Sequence, residues 1–163
     1  INAFLRGLGA TVAPSNGLTA IGSLLGQQIY YPPTVFNYFA PGYNVNLPGA
    51  NNMPTPVNAP EFQLLSESTA MQRADFANSV AFGKIGGVTV DLTSYVTLLG
   101  TKPTTSSMGQ MVDALNVALL DGRMTSDMRS TILDAVMNCA TPKAMAQTAV
   151  YLIGSSWPYQ VER

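Results

Sequence analysis

The sequence predicts a mainly α fold, an irregular bundle of about five to seven helices with one long loop region rich in proline, asparagine and aromatic residues. Three observations carry that expectation. Apolar residues recur at helical spacing through the second half of the chain, as in Met108, Met111, Val112, Leu115, Leu119 and Leu120. That spacing is punctuated by start and stop residues, Thr141-Pro142 before one stripe and Gly100 after another. From Gln27 to Pro60 the texture changes to seven prolines, repeated asparagines and no Asp, Glu, Lys or Arg, so regular structure there is expected to be interrupted repeatedly.

Ile1, Phe4, Leu5 and Leu8 open the sequence at helical spacing, and Leu18, Ile21, Leu24 and Leu25 predict a short second helix closed by Gly26. After the loop region, Pro60 and Glu61 fit a helix start, with Phe62, Leu65, Ala70, Met71, Ala74, Ala77 and Val80 as the apolar side. Ser66 or Ser68 is a cap for a second segment of it. Gly83, Gly86 and Gly87 break the pattern, Val88-Thr89-Val90 predicts a short extended stretch, and Asp91 reads as an N-cap. Leu92, Tyr95, Val96 and Leu99 then mark a helix. Met128, Ile132, Leu133, Val136 and Cys139 mark another beginning near Asp127, and Met145, Ala149, Val150 and Ile153 mark the last, ended by Ser155-Ser156-Trp157-Pro158. Three helices joined by short turns over 106–155 form the most consistent unit, because caps, stripes and stops agree there.

A length of 163 residues with 47% apolar content fits one domain with its own core, so the expectation is a single helical domain over 1–163. The helical spacing already present at Ile1 predicts a fragment whose N-terminal context is missing. Charged residues are only 10% of the chain, a composition that leans towards export. The net charge is −1 and no run of Lys or Arg forms a phosphate-binding stripe, which argues against nucleic acid as a partner. No stretch approaches the roughly 20 apolar residues of a membrane span.

The sequence holds no histidine, so neither a Ser-His-Asp nor a Cys-His site can be completed from it. Cys139 is placed on an apolar stripe and reads as core. Asp121, Asp127 and Asp134 have the spacing of neither a zinc nor a calcium site, and read as caps and solvated positions; no metal and no cofactor is expected. Gly7-Leu8-Gly9 and Gly83-Lys84-Ile85-Gly86-Gly87 lack the endings of nucleotide-binding loops and read as turns. Paired carboxylates remain as an acid-base device, with Glu61 and either Glu67 or Asp75 as the candidates for glycosidase-like chemistry. The competing reading of Glu61 is a helix N-terminal charge.

The conspicuous surface candidate is the segment from Tyr30 to Tyr43, which gathers Tyr30, Tyr31, Phe36, Tyr38, Phe39 and Tyr43 beside Pro32, Pro33 and Pro41. Such rings either pin an irregular segment onto its neighbours or form a contact surface for protein or for sugar faces, which Trp157 and Tyr159 would extend.

The words Gly26-Gln27, Tyr31-Pro32-Pro33-Thr34-Val35-Phe36-Asn37-Tyr38-Phe39-Ala40-Pro41-Gly42-Tyr43 and Ala59-Pro60-Glu61-Phe62-Gln63 resemble the bacterial domain of unknown function 1800 family (DUF 1800). Val112-Asp113-Ala114-Leu115, Leu119-Leu120-Asp121-Gly122-Arg123-Met124, Ala149-Val150-Tyr151-Leu152 and the ending Tyr159-Gln160-Val161-Glu162-Arg163 extend the resemblance, which runs from about Gly17 to Arg163. The chain departs from the family pattern at Ser155-Ser156-Trp157-Pro158, where proline is expected directly after serine. The resemblance implies the C-terminal part of a chain several times longer, often exported, and it supplies no reaction and no catalytic residues.

The functional expectation is a non-catalytic helical domain that packs on the upstream part of its parent protein or on another protein. The alternatives are a carbohydrate-binding module that uses the loop aromatics on a polysaccharide, and part of a glycosidase-like hydrolase.

Overall fold

The computed structural model describes residues 1–28, 30–48 and 54–160, with the side chains of 47, 48, 54, 55 and 61 set aside. Val161, Glu162 and Arg163 lie outside the described residues. The fold is mainly helical, as the spacing predicts, with two short two-stranded sheets among the described residues. The chain divides into two compact units, one formed by 1–17 with 74–163 and the other by 18–73.

In the first unit, α5 (Thr105–Leu120) is the central element and meets α1 (Asn2–Gly7), α4 (Thr93–Leu99), α6 (Ser126–Met137) and α7 (Pro142–Ser155). Met111, Val112 and Leu115 are completely buried, as are Val136 of α6 and Ala149, Val150 and Ile153 of α7. These are the positions the helical stripes select. Threonine caps set the starts. Thr104 accepts from the Ser107 amide at 3.2 Å while Ser107 Oγ accepts from the Thr104 amide at 2.9 Å, so α5 begins just ahead of the expected Ser106. Thr125 accepts from Met128 N–H and Thr141 from Ala144 N–H in the same way, which moves the start of α6 ahead of Asp127 and leaves Thr141-Pro142 where it was expected.

The turn after α5 runs through Asp121 and Gly122, both with positive φ. It is tied down by Asn116, whose Oδ1 accepts from Met124 N–H at 2.9 Å. Across α5 and α6, Arg129 donates to both carboxylate oxygens of Asp113, at 2.7 and 2.9 Å.

The N-terminal helix joins the same core. Phe4 packs against Phe76 and, edge to face, against Tyr159 of α8 (Trp157–Gln160), with ring centres 6.0 and 5.2 Å apart. Strand β1 (Thr11–Val12) pairs antiparallel with β4 (Val88–Thr89), so part of the expected extended stretch at Val88 is a strand.

Two expectations on this side need correction. Asp91 does not occupy the cap position itself; Leu92 does, and Asp91 Oδ1 accepts from Thr93 N–H at 2.9 Å from one residue further out. The second segment expected behind Ser66 is α3 (Glu67–Ala81), but the first segment, Pro60–Leu64, is only a short 3₁₀ helix. Ser66 Oγ accepts from Thr69 N–H at 3.1 Å and Thr69 Oγ1 from Ser66 N–H at 2.8 Å, a reciprocal cap. Breaking the chain there resets the helical phase. Phe62, Leu65, Ala70 and Met71 are exposed, and the buried side of α3 is Phe76, Ala77, Val80 and Ala81.

The second unit holds α2 (Leu18–Leu24), closed by Gly26 at φ +83 as expected, and a β-hairpin. The hairpin corrects the reading of 27–60 as loop throughout. Strands β2 (Asn44–Pro48) and β3 (Pro54–Asn58) pair antiparallel, with Val45 opposite Val57 and Asn46 opposite Pro56. Ala59 N–H donates to Tyr43 O at 2.9 Å, which fixes the alternation. Val45 and Val57 exchange backbone hydrogen bonds, whereas Asn44, Asn46, Pro48, Pro54, Pro56 and Asn58 turn their backbone groups outward. All three strand prolines therefore occupy positions where no inward N–H is needed, which is why a proline-rich sequence can pair.

Every buried hydrophobic side chain among the described residues belongs to the first unit. The second unit contributes none.

Candidate functional site

The aromatic segment lies wholly in the second unit and is braced by hydrogen bonds rather than by burial. Its entry is a turn in which Tyr31 N–H donates to Gln28 O at 3.1 Å, with Tyr30 at φ +65. A bulky residue rarely adopts that left-handed conformation. Tyr38 Oη reaches back and donates to the same Gln28 carbonyl. Between them Thr34 and Asn37 close a tight turn: Asn37 N–H donates to Thr34 O at 3.0 Å, and Thr34 Oγ1 accepts from Phe36 N–H at 3.2 Å. Val35 and Phe36 occupy its tip.

The exit is tied to the 3₁₀ helix and the hairpin. Ala40 N–H donates to Gln63 Oε1 at 2.7 Å, and Asn58 Nδ2 donates to Pro41 O at 2.8 Å. Tyr43 N–H closes a turn onto Ala40 O at 3.0 Å before β2 begins.

This bracing leaves the rings on the outside. Tyr30 is 92% exposed, Tyr31 71%, Val35 95% and Phe36 60%. Phe39 is also exposed, whereas Tyr38 and Tyr43 are half-buried and act in the loop's own structure. The residues that hold the loop, Gln28, Thr34, Asn58 and Gln63, were not among the candidates, nor was Val35. A threonine three residues before an asparagine, just after two prolines, is the turn signal that would have placed Val35 at a tip.

Trp157 and Tyr159 belong to the first unit. Trp157 is 63% exposed, and Tyr159 is half-buried against Phe4. Tyr159 therefore has a packing role in its own core.

Among the carboxylates, the Glu61 side chain lies outside the described residues. Glu67 opens α3 directly behind the Ser66 cap, and Asp75 follows two turns later; both are exposed. The negative charge of Glu67 suits the N-terminal end of that helix. Hydrogen bonds from Arg129 hold Asp113 below the usual carboxylate range, and those from Thr93 do the same for Asp91. Both have structural work, one joining α5 to α6 and the other at the start of α4. Cys139 is half-buried, its Sγ 3.4 Å from Thr148 Oγ1 and 3.6 Å from Ala135 O. Among the described residues no three Cys, Asp or Glu side chains converge as metal ligands, and no helix is long and apolar enough to cross a membrane.

The arrangement can therefore present a preformed, uncharged aromatic surface. No family model, curated protein or solved structure matches the chain.

Proposed function

We propose that this chain is a non-catalytic helical domain of a larger, exported bacterial protein related to the domain of unknown function 1800 family, and that the loop from Tyr30 to Phe39 is its contact surface for another polypeptide. One observation carries the reading: the second unit buries no hydrophobic side chain among its described residues, yet it holds Tyr30, Tyr31, Val35 and Phe36 out into solvent. Apolar side chains gathered on a braced loop mark a surface meant to be covered. Because the loop is already fixed by its hydrogen bonds, little ordering opposes binding. The absence of Asp, Glu, Lys and Arg from 27–60 favours an apolar partner face over a charged one.

The upstream part of the same parent protein is the first partner, and a separate protein the second. The test is calorimetric titration of the chain with the separately produced upstream region. Tyr30→Ser with Phe36→Ser is expected to weaken binding at least about tenfold, the effect of losing central aromatic anchors. Unchanged affinity would sink the reading.

A second reading has support in the pairing of exposed Tyr30 and Tyr31 with uncharged, amide-rich surroundings, which suits stacking on a neutral polysaccharide. Retardation of the chain in polysaccharide-containing gels, abolished by Tyr31→Ala, supports it. Free migration on every neutral polymer rejects it.

A further inference from the structure

The three prolines of the hairpin leave its two outer edges unequal. On β3 the outward positions are Pro54, Pro56 and Asn58, so two of the three lack an N–H and a further strand cannot add along it. On β2 the outward positions are Asn44, Asn46 and Pro48. Asn44 and Asn46 present both their N–H and their C=O groups outward, and proline appears only at the far end. Two strands alone make a marginal sheet, and an open edge is a template for pairing.

We infer that the β2 edge is a self-association site, at which two copies of this chain pair antiparallel about a two-fold axis through Val45. In that register Asn44 lies opposite Asn46 of the second copy and Asn46 opposite its Asn44. Each of these symmetry-related pairs exchanges both of its backbone hydrogen bonds, and the result is a four-stranded sheet. Pro48, which cannot donate, falls opposite Gly42 of the second copy, and open space surrounds Gly42 where a side chain would be.

A contact made by the same patch on both partners must be complementary to itself. The edge meets that requirement in two ways. The side chains of Asn44 and Asn46 are exposed; Asn44 Nδ2 donates to Gly42 O at 3.2 Å, which leaves its Oδ1 to accept from the Asn46 amide of the second copy. The whole stretch 27–60 carries no Asp, Glu, Lys or Arg, so two copies approach without like-charge repulsion. The inference goes beyond the contact loop, because it uses the backbone edge of β2 and none of the exposed rings.

The test is sedimentation equilibrium of the full chain from about 10 μM to about 1 mM, the range expected of a small interface. The mass is expected to rise from 17.3 kDa towards twice that value. Asn46→Pro removes an outward donor without touching the inward ladder, and should hold the chain at the single-copy mass. Protection of the Val45 and Val57 amides from exchange shows that the hairpin survives the change. Should it not survive, Asn44→Asp with Asn46→Asp gives the same answer by repulsion: dissociation at pH 7, and reassociation near pH 3, where carboxylates are largely protonated. A wild-type chain that stays at the single-copy mass throughout overturns the inference, as does association that persists in both edge variants. Tyr30→Ser with Phe36→Ser should leave association unchanged, so failure here is separable from failure of the contact loop.

Discussion

Phe4 shows how closely single side chains are fitted in the first unit. A Cβ at Gly154 would come within 2.5 Å of Phe4 Cζ and 3.2 Å of the Ala77 methyl. The glycine is therefore the floor on which the ring rests. Gly154→Ala should destabilise the chain by roughly 1–2 kcal/mol, the overpacking cost less the helix propensity that alanine returns. Urea denaturation checks this, and Phe4→Leu added to Gly154→Ala should cost less than it does alone, because it relieves the same clash. Gly109 serves Arg129 likewise: a Cβ there would lie 2.9 Å from Nη2, so the guanidinium crosses α5 over a bare backbone to reach Asp113. The Asp113 carboxyl titrates below its unfolded value of 3.8. Its contribution to stability is therefore present above that pH and is lost as pH falls through the lower folded value. Both partners are about half exposed, so the pair is worth no more than about 1 kcal/mol. Asp113→Asn should make stability less pH-dependent below about pH 4, read from urea midpoints across that range.

At the scale of elements, threonine caps and proline placement decide what the chain can form. Thr104 and Ser107 satisfy each other's amides at the head of α5, so Thr104→Ala should cost about 0.5–2 kcal/mol, measured by thermal and urea unfolding. In the hairpin the consequence of proline depends on register. Val45 donates inward, so Val45→Pro should abolish exchange protection at Val57 and its neighbours, in contrast to Asn46→Pro. The start of α3 follows the same logic. Ser66 and Thr69 cap each other, and that local pairing overrides the continuous apolar pattern from Phe62 to Val80.

For the whole molecule, the apolar core is unevenly distributed. It lies around Met111, Val112, Leu115, Val136, Val150 and Ile153, all in the first unit, while the described residues of 18–73 are held by turns, caps and a hairpin. Free energy of local opening follows buried apolar contact. Amides of the described residues of 18–73 are therefore expected to exchange with solvent at least about a hundredfold faster than those in the middle of α5 and α7, with hydrogen exchange by mass spectrometry as the check. Equal protection in both units would show that something other than the core of α5 to α7 stabilises the second one. Occupation of the Tyr30–Phe39 loop by the proposed partner should slow exchange there first, since a ligand stabilises the state it binds.

By itself the sequence determined the helical class, the stripes that become the core of α5, α6 and α7, and the α7 start at Thr141-Pro142, because each depends on neighbours within a few residues. It also marked Tyr30 to Tyr43 as exceptional. Only the tertiary structure decided which of those rings stay outside, since Tyr38 is drawn in by the distant Gln28 carbonyl and the backbone of Ala40 by Gln63, a residue 23 positions away. The hairpin escaped a local reading for the same reason. Proline counts against a strand when considered alone, and only the pairing of β2 with β3 reveals that all three strand prolines face outward, where they cost the ladder nothing.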